Sequence, residues 1–180
     1  MKKSHLIIIC LLYSLNALSQ ETEVMKFSLP KGTEKIGLQQ FENLSHGGIN
    51  DKAASDFNNH MYRKNGLLIY YINLSQFPTH PERRHSLESY QKMMVSLISG
   101  KSELKGTVNI IDDAKIIIVN NIRYSIIKSH YGDNMTIQFT SDYDRNGGYI
   151  NGFVEYKRPD ENAATKYLQD FLNNMHYQNN

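Results

Sequence analysis

Residues 122–157, IRYSIIKSHYGDNMTIQFTSDYDRNGGYINGFVEYK, decide the fold. Three runs rich in Ile, Tyr, Phe, Val and Thr are separated by Gly132-Asp133-Asn134 and by Asp144-Arg145-Asn146-Gly147-Gly148. β-branched and aromatic residues suit a pleated, packed surface, and Gly and Asn accept the backbone angles of tight turns. Such runs with short turns spell an antiparallel meander. The pattern extends upstream. "GTVNII" is expected to turn at Asp112-Asp113 into "AKIIIV", and Asn120-Asn121 is a two-residue turn into "IRYSIIKSHY".

Outward from the meander the period changes. "SLESYQKMMVSLISG" carries Leu87, Tyr90, Met94, Leu97 and Ile98 at helical spacing, with Ser86 as N-cap and Gly100 as stop. After Pro159, a second helix is predicted with Asp160 as N-cap; Ala163, Ala164, Tyr167, Leu168, Phe171, Leu172 and Met175 line one side. His176 is placed at its C-terminal end, where the dipole suits a histidine. "GLLIYYINL", 66–74, is apolar on both faces and reads as a central strand covered on both sides. "MKFSLPKG" reads as an opening strand closed by Pro30 and Gly32; residues 34–65 carry no single pattern, and within them "SHGGINDKAASDFNN", 45–59, is polar and turn-rich and is expected to be a loop with at most one short helical turn. Strands and helices in this order give an α+β fold: one antiparallel β-sheet sandwiched between helices.

The N-terminus, MKKSHLIIICLLYSLNALSQ, has two lysines, an apolar run and small residues at Ala17 and Ser19. That is the pattern of a secretory signal peptide over residues 1–19, leaving 20–180 as a single domain. The alternative, an uncleaved anchor, needs a longer apolar run. Cys10 lies inside the apolar run behind Ile7, Ile8 and Ile9, not behind a small residue, so a lipoprotein is not expected. A periplasmic or secreted protein without cysteine follows, and with it no disulfide and no thiolate chemistry. Loss of Lys2 and Lys3 lowers Lys plus Arg from 20 to 18, equal to the 18 Asp plus Glu. A neutral chain argues against nucleic acid as partner, because a phosphate-tracking surface needs basic excess. Once the leader is cleaved, no stable membrane insertion is expected.

The layout resembles the PsbP-like fold group. "MKFSLPKG" is similar to that group's opening strand, "SLESYQKMMVSLISG" stands where its first long helix does, and "IRYSIIKSHY" through "GYINGFVEYKRPDENAATKYLQDFLNNM" resembles its closing hairpins and last helix. The segment 39–65 has no counterpart there. The resemblance implies a mostly non-catalytic protein that binds other proteins, and it carries over no site residue.

Few residues look like chemistry. Asp142, Asp144, Asn146 and Gly147 fall at positions one, three, five and six of a calcium loop, but position twelve is Phe153 and the nearest acid, Glu155, comes two residues late. The reading favoured is a tight turn; the alternative is a surface calcium site on Asp142, Asp144 and Asn146. The histidines lack metal-ligand spacing, and His46-Gly47-Gly48 lacks a nucleophile elbow to serve. No cofactor motif is present. In "SQFPTHPERRHS", Phe77, His80, Arg83, Arg84 and His85 form a candidate partner-binding loop, since paired arginines can clamp an anion and aromatics add apolar area; the plainer reading is a solvated loop. Twelve tyrosines, of which only Tyr13 lies in the leader, suit either an interface or sheet packing.

These observations lead to a non-enzymatic extracytoplasmic binding protein. Its partner is expected to be a protein, met by the loop 77–85 and the hairpin tip 142–148. Two alternatives stand beside it: an immunity protein that neutralises a periplasmic toxin, and a secreted hydrolase using His46 or His80 with a nearby acid.

Overall fold

The computed structural model describes residues 23–45, 60–74, 80–99 and 109–179. The leader, His46, Phe77 and Gly100 lie outside them. Nine strands are described: β1 (Glu23–Lys26), β2 (Glu34–Lys35), β3 (Met61–Lys64), β4 (Leu67–Asn73), β5 (Ile110–Val119), β6 (Ile122–Tyr131), β7 (Asn134–Ser141), β8 (Ile150–Lys157) and β9 (His176–Asn179). Three α-helices accompany them: α1 (Leu38–Leu44), α2 (Leu87–Ser99) and α3 (Glu161–Asn173). The main sheet runs β2-β3-β4-β8-β7-β6-β5 with every pairing antiparallel, and β1 pairs with β9 in a separate ribbon.

The α+β sandwich is as expected. One sheet face presents Ile69, Tyr71, Tyr124, Ile126, Ile137, Phe139, Val154 and Tyr156 to Ala164, Tyr167, Leu168, Phe171 and Leu172 of α3. The other face carries α1, whose Phe41 packs on Leu68 and Tyr70, and α2, which lies over β5 and β6. With β4 inside the sheet and helices on both sides, Leu67 to Tyr71 are all buried, which explains the unbroken apolar run.

Local signals held in detail. Asn120 (φ 51°) and Asn121 (φ 62°) both take the left-handed conformation that the β5–β6 turn requires. The Ser86 hydroxyl caps α2 by accepting the Ser89 N–H at 3.2 Å. In the middle of β8, Gly152 is a close-approach residue. A Cβ there would sit 2.4 Å from the Phe139 ring and 2.7 Å from the Tyr71 Cβ.

Four expectations need correction. Asp112-Asp113 is not a turn: β5 is continuous, and the extra residue is absorbed as a bulge between Ile111 and Asp113. β2, α1 and β3 flank the loop expected over 45–59, of which all but Ser45 lies outside the described residues. Leu97 is 65% exposed and leaves the buried stripe of α2; Ala163 is likewise exposed on α3. Asp160 precedes α3 without a side-chain cap, a short 3-10 turn at Arg158–Asp160 making the entry instead. His176 is no helix terminus but the first residue of β9, opposite Lys26.

Candidate partner-binding surface

The chain folds so that its loop 80–86 meets the β7–β8 hairpin. Pro81–Arg83 forms one 3-10 turn, which leads through Arg84 into the cap of α2. α2 lies on the sheet face where β7 ends, and the hairpin tip projects from that end. The Arg84 guanidinium donates to the Arg145 carbonyl at 3.4 Å, tying loop to tip. His85, Leu87, Tyr90, Asp142, Tyr143 and Tyr149 surround a small cavity of about 30 Å³ between them, room for one water. Tyr143 and Tyr149 pack edge to face at 5.2 Å. Of the five loop candidates, His80, Arg83 and His85 are exposed, Arg84 is half-buried, and Phe77 lies outside the described residues. The two arginines do not form one clamp, since Arg84 alone turns to the tip.

Arg123 fastens this corner from below. Its guanidinium bonds Glu88 in the first turn of α2 and, at 3.2 Å, Asp142 at the root of the tip. The Glu88 carboxyl is held below its ordinary range, first by its own backbone N–H at the helix start and then by Arg123. Arg123 is correspondingly held more firmly protonated, chiefly by Glu88.

The acids of the tip are used within it. Asp142 Oδ1 accepts the Tyr143 N–H at 2.9 Å, while its Oδ2 takes Arg123. Asp144 Oδ1 accepts the Gly148 N–H at 2.7 Å, and the Asp144 carbonyl accepts the Gly147 N–H at 3.0 Å. Gly147, at φ 88°, closes the turn. Asp144 is 5% exposed, and its Oδ2 is the one side-chain oxygen of the tip that is buried without a hydrogen-bond partner. A cation here would compete with the Arg123 guanidinium for Asp142. Among the described residues, no three His, Cys, Asp or Glu side chains are grouped to hold a metal ion.

Beneath α1 and α2 the sheet face is polar as well as buried. Gln138 donates to the Tyr90 hydroxyl at 3.3 Å, Thr140 to Asn151 at 3.0 Å, and Gln91 of α2 to Ser125 at 3.1 Å. Further along, Glu155 is 4% exposed and accepts the Tyr70 hydroxyl at 2.7 Å and the Ser45 hydroxyl at 3.2 Å. Burial pushes the Tyr70 hydroxyl well up, and burial likewise raises Tyr90 and Tyr149, so all three stay protonated donors at neutral pH.

Two groupings escaped the sequence reading. Arg123, with partners 35 and 19 positions away, left no local signal. Asp112 accepts His130 Nδ1 at 2.8 Å across the bulge, an acid–histidine pair that neither residue's neighbours foretell. Of the two histidines considered for hydrolysis, His46 lies outside the described residues, and His80 has Glu82 at 3.9 Å with both side chains exposed.

By sequence the chain matches no family model and no curated relative. By structure it is similar to cyanobacterial PsbP (CyanoP) from Synechocystis sp. PCC 6803, with a TM-score of 0.54 and 10% identity, the match covering 86% of each chain. The fold is therefore PsbP-like.

Proposed function

We propose, from a PsbP-like fold and the geometry of one corner of it, that this chain is a non-enzymatic extracytoplasmic binding protein. Its partner is a protein, and the contact is the junction of residues 80–86 with the tip Asp142 to Gly148. The observation that carries the reading is the meeting of two segments far apart in sequence, joined from Arg84 to Arg145 and floored by Tyr90, Tyr143 and Tyr149. Tyrosine and arginine dominate the energetics of protein interfaces, because each brings a large contact area and directed hydrogen bonds. Binding is favoured over hydrolysis because His80 stands exposed with an exposed acid. The one tight acid–histidine pair, Asp112–His130, has no hydroxyl or thiol bonded to the histidine among the described residues. No described helix is long and apolar enough to cross a membrane.

Affinity capture from envelope and medium extracts tests the reading, run once with millimolar calcium and once with chelator. The expected result is one stoichiometric protein, retained in both conditions and lost with Arg84→Glu or with Tyr143→Ala combined with Tyr149→Ala. A captured protein with lethal activity would identify the immunity role within the same class. Retention by all variants would place the contact elsewhere, and no captured protein in either condition would overturn the reading.

A further inference from the structure

β5 is an edge strand of unusual character. It is ten residues long, its outer side has no strand partner among the described residues, and Ile110 and Ile118 are 54% and 69% exposed. In a two-residue hairpin the residues flanking the turn, Val119 and Ile122, form a hydrogen-bonded pair, and the alternation of an antiparallel ladder fixes the rest. Ile118, Ile116 and Ala114 therefore point their backbone N–H and C=O groups away from β6, towards the open edge. Edges of this kind accept another strand unless something blocks them.

The sequence of β5 is self-complementary about Ala114. An antiparallel copy with its two-fold axis on Ala114 sets Asp113 opposite Lys115 of the second copy, and Lys115 opposite its Asp113. Both side chains lie on the same sheet face, where they already pair within one chain at 2.8 Å. Past the Asp112 bulge the same register sets Ile111 opposite Ile116 and Ile110 opposite Ile117, each pair on one face. Axes one or two residues on are worse: Lys115 would oppose itself, or Asp113 would oppose Val119. A lysine and a bulge are common blocks to edge pairing. Here the lysine meets an aspartate, and the bulge keeps the isoleucines in phase.

We propose that β5 pairs with β5 of a second copy of this chain, joining two sheets into one across a two-fold axis at Ala114. Opposite charges directly across an antiparallel pair are favourable and like charges are not, so the register is sensitive to Asp113 and Lys115. Sedimentation equilibrium of the full chain up to about 100 µM tests this. Circular dichroism first establishes that each variant keeps its fold. The wild type is expected to show a concentration-dependent dimer. Lys115→Asp, which sets acid against acid, is expected to be monomeric over the same range, and Asp113→Lys combined with Lys115→Asp is expected to restore the dimer. A monomeric wild type, a dimeric Lys115→Asp variant, or a double variant that stays monomeric overturns the proposal.

Discussion

The two faces of the main sheet are built for different purposes. Under α3 the face is aromatic and aliphatic: Phe171 touches Phe27, Tyr71, Phe139 and Tyr167 within one continuous core. Under α1 and α2 the same strands turn Ser125, Gln138, Thr140 and Glu155 inward, all buried and each hydrogen-bonded, although the Gln138 Oε1 itself has no partner. Burying polar groups gains little net stability even when every partner is present. The difference teaches that α3 holds the fold, while the polar face fixes where α2 and its loop sit. The corner proposed for binding hangs from that second face.

The largest effect is expected on the α3 face. Phe171→Ala removes a fully buried ring from the α3 face and is expected to cost about 3–5 kcal/mol in urea denaturation. A loss under about 1 kcal/mol would mean that the core is not centred there. Next, Gly152→Ala forces a Cβ against Phe139 and Tyr71 and is expected to cost about 3 kcal/mol, read from the same unfolding curves. On the polar face, Tyr70→Phe deletes one of the donors to the buried Glu155 carboxylate, with an expected cost of about 2 kcal/mol. If Tyr70→Phe proved costlier than Phe171→Ala, the assignment of roles to the two faces would be reversed.

The smallest effect concerns pH. Glu88 has a lowered carboxyl pKa in the folded chain, so it stabilises the fold above the ordinary carboxylate range. That contribution is lost as pH falls through the folded value. Glu88→Gln should therefore melt below the wild type at neutral pH and converge on it in acid. Parallel melting curves at every pH would show that the Glu88–Arg123 contact adds nothing.

Much of this architecture was legible from residues. Alternation in MTIQF, paired asparagines at 120–121 and an unbroken apolar run at 67–71 each report a local requirement, and each element formed where its pattern lay. What was not legible depended on neighbours distant in sequence. Asp112-Asp113 has turn composition, but the pairing of Asp113 with Lys128 and eight further pairings with β6 pull it into a bulged strand. Leu97 keeps helical phase, yet it lies on the flank of α2 away from the sheet. At the candidate site the two segments were each visible as loops rich in charge and turn residues. Their meeting was not, because Arg84 and Arg145 are 61 positions apart, and neither was Arg123, which secures them.

Recognition is proposed to sit on the corner joining residues 80–86 to 142–148. Amide hydrogen exchange of the full chain, alone and with the captured partner, tests it most directly. Slowed exchange is expected, confined to those two segments and the first turn of α2, with α3 unchanged. Protection that appears instead along α3, or at the opposite end of the sheet around Asp133 and Arg158, would contradict it.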